Sequence, residues 1–174
     1  KMPDPALAGL LTDRRLGVGC DQLIPLMPPE DPAADIYMRI VNPDGSESGA
    51  CGNATRCVAD LMMTETGKDA VTIQTKAGLL ACTRAGNGLI TVDMGPAKLE
   101  WEQIPVAFEC DTLQLPVKSV YKLIKSPPVG VNMGNPHAVF FVNDVETFPV
   151  GEIGPEIETN PLFPERTNVE FAQI

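Results

Sequence analysis

Histidine is almost missing from this sequence: His137 is the only one in 174 residues. No two of the five cysteines (Cys20, Cys51, Cys57, Cys82, Cys110) stand at C-x-x-C spacing, which speaks against a zinc ribbon or a thioredoxin motif. With one imidazole to offer, no metal site is expected. An odd number of scattered cysteines fits a reducing compartment, so the cytoplasm is the expected location. Basic residues are scarce as well, 13 Lys and Arg against 23 Asp and Glu, for a formal charge of −10 and a pI near 4.5. No basic stripe is available to neutralise a row of phosphates, which excludes nucleic acid as a partner. The same charge gives no reason to bind an anionic membrane surface; self-repulsion in favour of solubility accounts for it. No apolar run reaches the length of a membrane span, and no basic n-region precedes an apolar core at the start. The opening residues read as the inside of a chain, so further sequence upstream is expected. A regular βαβ rhythm is absent, which excludes a doubly wound parallel sheet. There is no internal repeat and no low-complexity segment.

The length suits one medium domain or two small ones, and 44% hydrophobic residues suffice for a core. Asp4 is placed to cap a helix with Pro5 at its first position; Leu7, Leu10, Leu11 and Leu16 give it an apolar side, and Gly17 is expected to end it. GVGCDQLIPLM reads as a turn entering a short strand. IYMRIV at 36–41 alternates, with Ile36, Met38 and Ile40 on one face. NPDGSESG is a turn by composition, in which Asp44 and Glu47 look like turn and solvent residues. A helix follows, with Ala54, Cys57, Val58, Leu61 and Met62 on its apolar face and Gly67 beyond its end. Strands are expected at 71–75, 78–84 and 89–94, the last two joined by a hairpin at 85–88. GPAK at 95–98 suits a boundary. Further strands are expected near 105–109, 119–125, 138–142 and at the end of the chain, with a short helix at 151–158. The fold class is α+β with mixed or antiparallel sheet.

Cys20, Cys57, Cys82 and Cys110 read as inert structural thiols. Cys51 differs. A helix starting at Gly52 or Asn53 puts its thiol at the N-terminus, where unpaired N–H groups and the macrodipole favour a thiolate. Gly52 allows close approach to the backbone, and the N–H groups of the first turn suit a carboxylate. A thiolate beside a carboxylate pocket suggests chemistry at the adjoining carbon. These residues alone leave a functional and a structural Cys51 equally open.

The segment NPDGSESGACGNATRC resembles the first active-site segment of the diaminopimelate epimerases. GVGCDQLI, MGNPHAVFFVNDVE and LFPERTNVEFAQI resemble three more segments of that family, in the family's order, from residue 17 to residue 174. The resemblance implies a cofactor-independent epimerase of LL- and meso-diaminopimelate in lysine and peptidoglycan synthesis. In that mechanism one cysteine takes the Cα proton as thiolate while another, as thiol, protonates the opposite face. Carried over by position, Cys51 is the first catalytic cysteine. Gly52 and Asn53 hold the reacting carboxylate. Gln22, Asn42, Asn135 and Asn168 bind substrate, and His137 tunes the acidity of the cysteine pair. Asparagines suit a zwitterionic distal end, since an amide can donate to its carboxylate or accept from its ammonium. Read without the resemblance, Asn42 and Asn135 could simply shape turns, and His137 could be a satisfied core histidine.

The family fold has two similarly built domains, each wrapping sheet around a central helix. Residues 1–95 would form the first, lacking its opening strand, and 96–174 the beginning of the second. Ala54-Thr55 replaces the family's usual Gly-Ala, and Cys20 stands where an aromatic or aliphatic residue is common. Nothing here resembles the ACGSG-type segment that carries the family's second cysteine, or the Glu-Arg pair that completes substrate binding. Negligible turnover is therefore expected from these 174 residues alone. The expected ligand is a small amino acid, and the only macromolecular partner left open is a second copy of the chain, as a homodimer. A related isomerase of the proline-racemase or phenazine-biosynthesis type, or a fragment without chemistry, is the alternative.

Overall fold

The computed structural model describes residues 3–117, 124 and 126–174. The chain divides into two compact units, Lys1–Gly95 and Pro96–Ile174.

In the first unit, Pro5–Thr12 forms α1, whose N-terminus is capped by Asp4 Oδ1 accepting from the Leu7 N–H at 2.8 Å. The helix ends at Thr12, well before Gly17. Its buried residues are Ala8 and Thr12, while Leu7, Leu10 and Leu16 are exposed, so the expected leucine face is not the one that packs. Leu26–Met27 (β1), Ile36–Met38 (β2), Ala70–Thr75 (β3), Gly78–Arg84 (β4) and Ile90–Asp93 (β5) form one sheet in the order β1-β2-β3-β4-β5. β2 and β3 are parallel and the other pairs antiparallel. The parallel pair needs a crossover, and Gly52–Thr66 (α2) supplies it. Gly67, at φ +71°, ends α2 in the left-handed conformation that glycine adopts without strain.

The buried side of α2 is Thr55, Val58, Ala59 and Met63, which packs on Met38, Ile40, Val71, Ile73 and Cys82. This is one position round from the expected stripe: Ala54 and Met62 lie at its margin, and Cys57 and Leu61 are exposed. Cys57 is therefore a surface thiol, not a core residue.

The second unit repeats the architecture on a smaller scale. Val129–Asn132 (β6), Pro136–Phe141 (β7) and Asn168–Ala172 (β8) form a sheet in that order, the first pair antiparallel and the second parallel. The crossover between β7 and β8 contains Val150–Glu158 (α3), whose Ile153 and Ile157, one turn apart, enter a core with Phe140, Leu115 and Phe163. Residues 105–109 do not form the expected strand. Ile104, in a turn, and Val106, in the irregular segment after it, are buried, and the Ala107 N–H next to them donates to the Leu162 carbonyl at 2.9 Å. Of the strand expected at 119–125, all but Ile124 lies outside the described residues. Each unit thus has mixed sheet and a helix-borne crossover, the α+β class. No described helix is long and apolar enough to cross a membrane.

Candidate active site

Cys51 is the N-cap residue of α2, with extended backbone angles of φ −153° and ψ 100°. Its carbonyl accepts the first helical bond, from the Thr55 N–H at 2.9 Å, and a second from Thr55 Oγ1 at 2.9 Å. This explains why a threonine is fully buried one turn into the helix. No side chain caps the end, and helix geometry leaves the N–H groups of Gly52, Asn53 and Ala54 without intrahelical acceptors. The Cys51 side chain packs partly against the core and is otherwise open. At Gly52 an added Cβ would meet only Met94 Sδ, at an ordinary 3.8 Å. Nothing in the first unit's own packing demands glycine there. Asn53 is exposed, and its Oδ1 accepts from Arg56 Nη2.

Gln22 and Asn42 meet through strand register. Leu23 and Val41 exchange both backbone hydrogen bonds at 2.9 Å, so the next residues outward, Gln22 and Asn42, stand opposite one another. Gln22 Nε2 donates to Asn42 Oδ1 at 3.0 Å. Asn42 Nδ2 in turn donates to Ser46 Oγ at 3.0 Å and Ser48 Oγ at 3.3 Å. Glu47 is not a solvent residue. It is half-buried and takes two hydrogen bonds from Arg39, one of them Nε to Oε1 at 2.6 Å. The guanidinium holds the Glu47 carboxyl below its ordinary range. Asp44 belongs to the turn, accepting from the Ser46 N–H at 2.9 Å.

In the second unit, Asn135, His137 and Asn168 come together on the β7–β8 pair. His137 stands opposite Asn168 in the parallel register. Asn168 Nδ2 donates to the Pro136 carbonyl at 2.9 Å. His137 Nε2 lies 3.0 Å from Asn135 Oδ1, and its Nδ1 lies 2.7 Å from Glu170 Oε1. Sequence reasoning missed Glu170. Its signal was the two-residue spacing from Asn168, which puts both on one face of a strand, but only the register shows that this face meets His137.

Burial acts on two of the remaining thiols. Cys82 is 1% exposed, and burial pushes its pKa up to about 11. Burial, aided by Asp111, also raises that of Cys110. No cysteine pair is bridged, and the described residues contain no group of three or more His, Cys, Asp or Glu able to hold a metal ion.

The architecture comes first, and it is one shared with solved structures of a racemase and an epimerase. The chain is similar to a probable proline racemase from Agrobacterium radiobacter K84 with bound carbonate (TM-score 0.55, 23% identity, 89% of this chain and 42% of that one). It is also similar to a hydroxyproline epimerase from Agrobacterium vitis with bound trans-4-hydroxy-L-proline (TM-score 0.57, 20% identity, 88% and 42%). At these identities the likeness speaks for the fold. Sequence then gives the family: residues 2–100 and 129–174 match the diaminopimelate epimerase family model, and the chain belongs to that family. Among its relatives are the diaminopimelate epimerases of Rhodospirillum centenum, 54% identical over 97% of this chain, and Phenylobacterium zucineum, 51% identical over 99%. The chain spans 57% and 62% of those relatives' lengths.

Proposed function

We propose that this chain is the part of a diaminopimelate epimerase that carries the base for one face of Cα, Cys51, and much of the substrate-binding set. The observation that carries this reading is the position of Cys51. Its half-open thiol stands at an uncapped helix end, inside the family's own motif, next to a glycine that packing does not require. Inversion at Cα needs a base and an acid on opposite sides of a planar carbanion, and two thiols that exchange roles let the reaction run in both directions. The Cα–H beside a carboxylate is weakly acidic. Donors already fixed at the end of α2 would stabilise the charge that develops on that carboxylate.

Gln22, Asn42, Asn135 and Asn168 are the proposed substrate contacts, Gly52 and Asn53 the carboxylate site, and His137 the residue that tunes the cysteine pair. Interconversion of LL- and meso-diaminopimelate without cofactor, in the cytoplasm, for lysine and peptidoglycan synthesis, belongs to the same reading. A second copy of the chain is the one macromolecular partner it entertains. The 47–54% identity to diaminopimelate epimerases, against 20–23% to the proline-type structures, favours the longer, two-headed substrate.

The test uses the complete polypeptide encoded by the gene, incubated with LL-diaminopimelate in D2O. Deuterium should enter at Cα as the meso form accumulates, and Cys51→Ala should reduce kcat/KM roughly 10²–10⁴-fold, the span of a lost acid–base group. Absence of exchange, turnover of proline in its place, or an unimpaired Cys51→Ala enzyme would overturn the reading. The 174-residue chain by itself, which has no ACGSG-type segment, should show no steady epimerisation.

A further inference from the structure

We propose that Glu170 is the positioning residue of His137: its carboxylate claims the Nδ1 hydrogen and so fixes which face of the imidazole is presented to Asn135. The three side chains form a short chain across the β7–β8 pair, Glu170 Oε1 to His137 Nδ1 at 2.7 Å and His137 Nε2 to Asn135 at 3.0 Å. Among the described residues the ring is Glu170's one side-chain hydrogen-bond partner, since Oε2 is buried without any.

The chemistry of the two neighbours decides the tautomer. A carboxylate only accepts, whereas an amide can turn either its oxygen or its NH2 towards the ring. A neutral imidazole has one hydrogen to give, so Glu170 dictates and Asn135 adapts. With the hydrogen on Nδ1, Nε2 offers a lone pair. A half-turn of the Asn135 amide brings its NH2 to that lone pair and leaves its oxygen for another donor, such as a substrate ammonium. Glu170, which touches no substrate in this scheme, would thereby set the polarity of a binding residue two links away. That consequence for binding rests on the function proposed above; the tautomer does not.

The experiment reads the tautomer in the 174-residue chain. With a single histidine, a long-range ¹H–¹⁵N correlation spectrum contains one imidazole. At a pH where the same spectra show the ring to be neutral, Nδ1 should give a pyrrole-type signal and Nε2 a pyridine-type one. This is the reverse of the preference of a free histidine side chain in water. Glu170→Leu, which removes the acceptor at similar size, should convert the ring to the Nε2–H form. A wild-type ring already in the Nε2–H form overturns the proposal without any variant, and so does an Nδ1–H form that survives Glu170→Leu. Either result leaves the epimerase assay untouched, so the two readings can fail separately.

Discussion

Gly52 and Cys82 show how single residues separate chemistry from packing. A methyl group at position 52 would make only one ordinary contact, with Met94, and alanine is the better helix former. Gly52→Ala should therefore leave the melting temperature of the chain unchanged or slightly higher. If Gly52 holds the reacting carboxylate as proposed, the added Cβ should still depress kcat/KM in the complete polypeptide. Equal loss of stability and activity would contradict this. For Cys82, burial and a pKa near 11 predict that brief alkylation at about pH 8 modifies the exposed Cys57 and spares Cys82, with all five thiols reacting after unfolding. Peptide mass mapping reads this directly. Cys82 was legible from its place inside a strand. Cys57 was not, because counting only apolar residues selects Ala54 and Cys57 and passes over Thr55. The threonine is buried because its hydroxyl bonds back to the Cys51 carbonyl, a partner that periodicity cannot supply.

Among the elements, the 42–48 turn shows most plainly what holds Asn42, a proposed substrate contact, in place. Arg39 at the end of β2 grips Glu47 with two hydrogen bonds, and the Val41 bridges to Leu23 and Glu47 seat Asn42 beside Gln22 and the two serines. Both partners of the ion pair are less than a third exposed, so Glu47→Leu should cost about 1–3 kcal/mol by leaving Arg39 without its acceptor. Urea titration would show a lower midpoint at unchanged slope. A midpoint that does not move would mean that the pair contributes nothing, as many surface pairs do. The turn itself was readable from Pro43 and Gly45, but its clamp was not, because Arg39 and Glu47 meet only once the chain has reversed. The strand β6 was likewise missed, following two prolines and containing Gly130. There a Cβ would come within 3.0 Å of Leu115 and 3.2 Å of Ile104, so the glycine marks close packing rather than a break. The strand expected near 105–109 fails in the other direction, since irregular segments such as the one carrying Ile104 and Val106 can also enter a core.

For the whole molecule, four motifs in order were enough to see the family, because each is a run of neighbouring residues. The contacts within the site were hidden because they depend on register between strands far apart in the chain. Charge, by contrast, is legible from composition and predicts how the folded chain responds to pH. At −10 it repels itself, and lowering the pH from 7 towards the pI near 4.5 relieves that repulsion, so stability should rise over this range. Below it, particular carboxylates take over. Asp35 is held below its ordinary 3.8, first by Lys68 and then by the Thr72 N–H, and Glu47 below its ordinary 4.5 by Arg39. A group with a depressed folded pKa stabilises the fold above its unfolded value, and that contribution disappears as the pH falls through the folded value. Melting temperature should thus peak at about pH 5 and fall below about pH 4, as the unfolded chain takes up protons that the folded one resists. Cys82 acts with opposite sign at the alkaline end. Its raised pKa gives stability that is complete below 9.0 and lost as the pH climbs through about 11. Melting curves across pH for the wild type and Glu47→Gln would separate local from global effects. The acid limb should be shallower in the variant, which has no carboxylate there to protonate, while the rise between pH 7 and 5 should persist in both. Parallel acid limbs would assign the fall to net charge alone and remove Glu47 from the account.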